Sequence, residues 1–174
     1  MTVQPDIATL FAATAVLQLC ATILMFFLWR VHKAEAIRCW CLGFFCSALS
    51  ALLVGLESTV APVYPLYLST ILVVLGGSYF YFGIAKFLEV EIKWSLLIPG
   101  YVAATGLIVY YAVADSQLGI LNLGYSIAGC IIYLLIFYEL IRATPSGGRR
   151  GVYRLVGITY LVLAIATIKR CEFM

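Results

Sequence analysis

The residues best suited to metal or redox chemistry are six cysteines and a single histidine. A haem held between helices by paired histidines is impossible with His32 alone, and a histidine-containing metal site within a bilayer is equally excluded. The cysteines are Cys20, Cys39, Cys41, Cys46, Cys130 and Cys171. Cys39-x-Cys41 lacks the C-x-x-C spacing of a redox or zinc motif. Cys39 and Cys46 share one helix face and Cys41 points elsewhere. Buried free cysteines behave as small apolar side chains, and packing is the role expected here. The alternative is a thiol sensor near the inner membrane interface. No metal or other cofactor is expected.

Polar residues come next. Thr14, Gln18 and Thr22 are spaced by four and form one stripe on a helix. Asn122 and Ser126 form another, Glu57 ends an apolar run, and Glu139 and Arg142 stand close enough to pair. Polar groups inside a bilayer are costly and often functional. Gln18, Glu57 and Asn122, with nearby tyrosines, are therefore the candidate lining of an outward-facing ligand or stimulus pocket. The plainer expectation for Gln18 and Asn122 is an interhelical hydrogen bond worth about 1 kcal/mol. A proton pump or intramembrane hydrolase would need paired ionisable groups or a catalytic histidine. The apolar runs supply neither, so these residues are not expected to form an enzyme. No P-loop, dinucleotide fingerprint or H-E-x-x-H is present.

The elements that must position these residues follow from composition. The chain has 174 residues, of which 64% are hydrophobic and only 11% charged, with a mean hydropathy of +1.07. A soluble domain carries roughly 25% charged residues, and disordered chains are poor in apolar ones. An all-α, polytopic transmembrane helix bundle is the class that remains, with residues 1–174 as one domain. Six apolar runs are expected to span, at about 7–29, 37–56, 64–85, 94–114, 118–141 and 152–168. The first has no basic residue before it and so reads as a retained helix, not a signal peptide.

Arg30, Lys33 and Arg38 lie between the first two runs. Lys86 and Lys93 lie between the third and fourth, and Arg142, Arg149, Arg150 and Arg154 flank the gap between the fifth and sixth. The N-terminal stretch and the two remaining loops contain no Lys or Arg. Basic residues stay on the cytoplasmic side, which predicts an outside N-terminus. The net charge of +3 is thus a topology signal, and no nucleic-acid partner is expected. The lipid bilayer is the expected partner, with a second copy of the chain as a further one. The sixth run is short and ends in Lys169 and Arg170. It reads either as a helix cut short or as a short helix whose basic residues snorkel to the interface.

Small residues carry a packing message. Ser69, Gly76 and Gly83 repeat every seven on the third run, and Gly43, Ser47 and Ser50 make a seam on the second. Such seams let helix backbones approach closely in lipid. Gly76-Gly77-Ser78-Tyr79-Phe80 resembles the GGDEF signature by letters only. The acids are missing, and an apolar run cannot supply the oxygen ligands and water that Mg²⁺ demands.

A second resemblance covers nearly the whole chain. Trp29-Arg30, then Trp40-Cys41-Leu42-Gly43-Phe44-Phe45, then Leu68-Ser69-Thr70-Ile71-Leu72 running on to Gly76, Tyr79, Gly83 and Phe87 occur in order. Tyr138-Glu139-Leu140 and an Arg-rich loop follow, leading into a run that ends in Arg170. This pattern is similar to the N-terminal membrane-sensor region that precedes the cytoplasmic GGDEF domain in many bacterial diguanylate cyclases. The resemblance implies a sensor in the bacterial inner membrane, acting in cyclic di-GMP signalling on an unidentified stimulus. It also implies that Arg170 lies within a helix and that the chain ends early, ahead of a seventh span and the cyclase domain. No GGDEF domain lies within these residues, so they make no cyclic dinucleotide themselves. A small stand-alone permease or ligand-binding membrane protein is the alternative. Runs one to three and four to six show no convincing internal repeat of the kind transporters often carry.

Overall fold

Lipid offers a backbone no hydrogen-bond partner, so long apolar runs close their hydrogen bonds internally as helices. The computed structural model describes residues 7–55, 63–92, 94–95, 97–99, 101–102, 105–106, 110, 119–143 and 150–172. Helices α1 (Ile7–His32), α2 (Glu35–Gly55), α3 (Val63–Phe87), α4 (Gly119–Arg142) and α5 (Arg150–Glu172) follow in order. No strand occurs among the described residues. Helices α1, α2 and α3 are long and apolar enough to cross a membrane, over Thr9–His32, Glu35–Gly55 and Leu68–Phe87. Within the expected fourth run the described positions are helical.

The helices overrun the apolar runs. α1 continues from Trp29 to His32, α2 starts at Glu35, and α5 extends through Lys169 and Arg170 to Glu172. Arg170 lies within a helix, as the resemblance implies: α5 has 23 residues and carries both Lys169 and Arg170. Hydropathy marks where lipid contact ends, whereas backbone hydrogen bonding continues for as long as the chain allows.

Two compact units divide the chain, Met1–Gly83 and Ile84–Met174. In the first, α1 and α2 pack as a hairpin. Its turn is two residues long, Lys33-Ala34. Lys33 takes the left-handed conformation (φ 55°), and its N–H donates to the Trp29 carbonyl at 2.7 Å. Most of α1 is exposed; only Ala15 of its described side chains is buried. Leu17, Phe27 and Val31 project from it as lipid-facing groups would.

In the second unit, α4 and α5 pack against each other. Gly157 of α5 faces Phe137, Leu140 and Ile141 of α4, and the Tyr133 and Tyr160 rings lie 6.0 Å apart. Ile132, Leu135, Ile136 and Leu140 are buried here. The last turn of α3 closes in a Schellman motif: the Val90 N–H donates to the Ala85 carbonyl and the Glu89 N–H to that of Lys86. Glu89 has φ 55°, a conformation that costs a residue with a Cβ about 1 kcal/mol. Glu89→Gly should therefore melt at or above the parent temperature, and Glu89→Val should lose about 1 kcal/mol or more. Thermal unfolding in detergent, followed by circular dichroism, reads both; the reverse order would show that the stop is not built this way.

Candidate functional site

A close backbone approach in the first unit lies between α2 and α3, where the sequence places its small residues. The Ser50 and Ser69 hydroxyls share a hydrogen bond at 3.0 Å, both buried. Seven residues along α3, a Cβ on Gly76 would stand 3.1 Å from the Gly43 carbonyl oxygen and 3.0 Å from the Ser47 hydroxyl. From the other side, a Cβ on Gly43 would stand 3.2 Å from the Gly76 carbonyl oxygen and from the Phe80 ring. A further seven residues on, a Cβ on Gly83 would collide with the Trp40 indole and lie 3.1 Å from the Ala36 carbonyl oxygen.

The pairing is antiparallel and keeps register: Ser50 with Ser69, Gly43 with Gly76, Ala36 with Gly83. Each helix contributes one residue every seven. A seven-residue repeat keeps one seam facing its partner when two helices cross with a left-handed twist. Gly43, Ser47, Ser69, Gly76 and Gly83 thus all lie on one contact surface. Cys46 joins it, with its Cβ 3.4 Å from the same Gly76 position. Cys41 faces the other way, and its thiol donates to the Thr22 carbonyl of α1 at 3.5 Å.

Two contacts and one burial were not legible from residue type alone. Trp40 packs on Gly83, Phe44 meets Phe80 edge-on at 4.8 Å, and Tyr81 is completely buried. The seven-residue spacing, extended one step along α2 to Ala36, would have pointed to the first of them. Gly76 to Phe80 lies within α3, where the buried Ser78 hydroxyl donates to its own helix at Val74 (2.6 Å). That is helical core, unlike the hydrated turn a nucleotide-binding signature requires.

The polar stripe of α1 behaves differently from its two ends to its centre. Thr14 donates to the Leu10 carbonyl and Thr22 to that of Gln18, each at 2.8 Å. Those hydroxyls are taken up by their own helix. Gln18 is half-buried, and its Oε1 is buried without a hydrogen-bond partner. Glu57 lies outside the described residues. Asn122 falls on α4, and its side chain, with that of Ser126, lies outside the described ones. In the second unit Glu139 is buried at 1% exposure while Arg142, three residues on, is exposed. No cluster of three potential metal-binding side chains occurs among the described residues.

Comparison of the chain with protein-family models, curated proteins and solved structures finds no match.

Two outcomes follow from this geometry. Gly76→Leu should force α2 and α3 apart and lower stability by about 1–3 kcal/mol. Gly43→Leu should cost a similar amount, and the double variant less than their sum, since both break one shared contact. Full additivity in detergent unfolding would show that the contact is not shared. Gln18→Leu removes an acceptor that carries a desolvation cost of about 1–3 kcal/mol, so it should leave stability unchanged or raised. A clear loss in the same assay would mean that Gln18 finds its partner in the membrane.

Proposed function

We propose that this chain is a membrane-embedded input module of the kind that regulates a cytoplasmic diguanylate cyclase. It would cross the bacterial inner membrane six times with its N-terminus outside, and a stimulus would act by changing helix packing. The observation that carries this reading is the α2–α3 seam. Its backbones touch at Gly43 and Gly76, and it lies between two helices of spanning length. The ordered motif from Trp29 to Phe87 and the segregation of basic residues into alternate loops support it further.

A permease draws less support. Transporter folds often carry internal repeats, and runs one to three and four to six show no convincing one.

The test is a chimera of residues 1–174 joined, through one added spanning helix, to an intact cyclase domain. Gly76→Leu should shift its cyclic di-GMP output by about fivefold or more, the low end of ordinary coupling between sites. Reporter fusions should place the Lys33 turn inside and the Asp115 loop outside. Output indifferent both to Gly76→Leu and to deletion of residues 1–83 would sink the signalling reading, and reversed reporters would sink the topology.

A further inference from the structure

We propose that the α1–α2 turn is a binding surface for anionic phospholipid, with the headgroup phosphate held by Arg30, Lys33 and Arg38. This rests on the membrane reading above but not on the signalling one. The turn gathers three permanent cations within nine residues against one carboxylate, Glu35. Both arginines are held over aromatic faces: the Arg30 guanidinium lies 5.9 Å from the Phe26 ring centre and that of Arg38 lies 6.0 Å from the Trp29 ring. A guanidinium engaged through its face keeps in-plane donors for oxygen anions. Arg38 also stands 3.8 Å from Glu35, but both side chains are more than half exposed, so this contact neutralises little of its charge. Lys33, held in the left-handed conformation, is exposed on the same turn.

The height of the turn is also right. The uncharged part of α1, Ile7–Trp29, rises roughly 35 Å at 1.5 Å per residue, against a hydrocarbon core of about 30 Å. Arg30 to Lys33 therefore emerge at the level of the headgroups.

Charge complementarity requires an anion, and the surroundings choose an amphipathic one. Directly beside the cations, Phe27 and Val31 are exposed at 63% and 75%. A soluble phosphate would use only the cations. A phospholipid would use both, with its acyl chains along Phe27 and Val31 and its phosphate on the turn. Each basic residue near an anionic surface contributes on the order of 1 kcal/mol.

The test uses the full chain purified in mixed micelles of phosphatidylglycerol and phosphatidylcholine, with retained lipids counted by native mass spectrometry. The parent should favour phosphatidylglycerol by at least about tenfold. The triple variant Arg30→Gln, Lys33→Gln, Arg38→Gln should fall to near parity. Arg142→Gln with Arg154→Gln, which removes charge from exposed positions of the second unit, should keep the preference. The charge-keeping pair Arg30→Lys with Arg38→Lys guards against misfolding of the triple variant and should keep most of the preference.

Equal loss in both charge-removing variants, an unchanged triple variant, or complete loss in the charge-keeping pair would overturn the proposal. Displacement of the lipid by excess inorganic phosphate would reassign the surface to a soluble anion. Failure of the parent to float with vesicles of any composition would instead overturn the membrane reading, which loss of lipid preference alone does not touch.

Discussion

The structure of the first unit depends on one constraint: α2 and α3 approach until each backbone meets the space where the other's side chain would begin. Lipid tails are as apolar as leucine, so no hydrophobic force draws two helices together within a bilayer. Close packing and hydrogen bonds must do it. Gly43 and Gly76 allow that approach, because a Cβ on either would stand within 3.2 Å of the other's carbonyl oxygen. The rest of the interface is set by it. Ser50 and Ser69 satisfy each other at one end, and the Trp40 ring lies on Gly83 at the other. Phe44 and Phe80 meet beside the glycines because the axes are already close.

The same constraint explains what could be read from the sequence. Glycine and serine at seven-residue spacing are conspicuous in an apolar run, so the seam on α3 and most of the seam on α2 were legible as faces. Their register was not. Ala36 continues the α2 ladder opposite Gly83, but alanine is too common in helices to draw notice. The Trp40 ring covers Gly83, a contact that residue type does not announce. Helix ends follow a different rule from apolar runs. Arg30, His32, Lys169 and Arg170 all lie on helical backbone past the apolar runs, because backbone hydrogen bonding does not stop where hydropathy falls. The burial of Glu139 was hidden as well, because a carboxylate three residues from an arginine at a helix end ordinarily reads as an exposed pair.

The two units solve the packing problem with different materials. The first buries Ala15, Ala36, Ala48, Ala51, Ser50 and Ser69, so backbones supply much of the contact surface. The second buries Ile132, Leu135, Ile136 and Leu140 along α4, so branched side chains supply much of its contact surface. Gly157 shows the difference. A Cβ there would meet its neighbours at 3.5–3.7 Å, ordinary van der Waals contact, whereas at Gly76 it would press on backbone. Side chains can move between rotamers to absorb a small displacement. A backbone carbonyl against a glycine cannot, so the α2–α3 seam tolerates less distortion than the α4–α5 contact.

Polar groups in the described helices reinforce this contrast. Thr14, Thr22, Ser78 and Thr159 each donate to the carbonyl four residues earlier in their own helix. A Ser or Thr hydroxyl in an apolar helix commonly satisfies its proton in this way. Ser50 and Ser69 depart from the pattern, and they join two helices, not a helix and a ligand. The polar chemistry between α2 and α3 therefore serves their relative position. Packed interfaces of this type favour a few discrete arrangements over continuous deformation. Any displacement that separates Gly43 from Gly76 forfeits the serine bond and the Trp40 contact together, because all three depend on the same backbone approach. That shared dependence would turn a small local perturbation into movement of a whole helix.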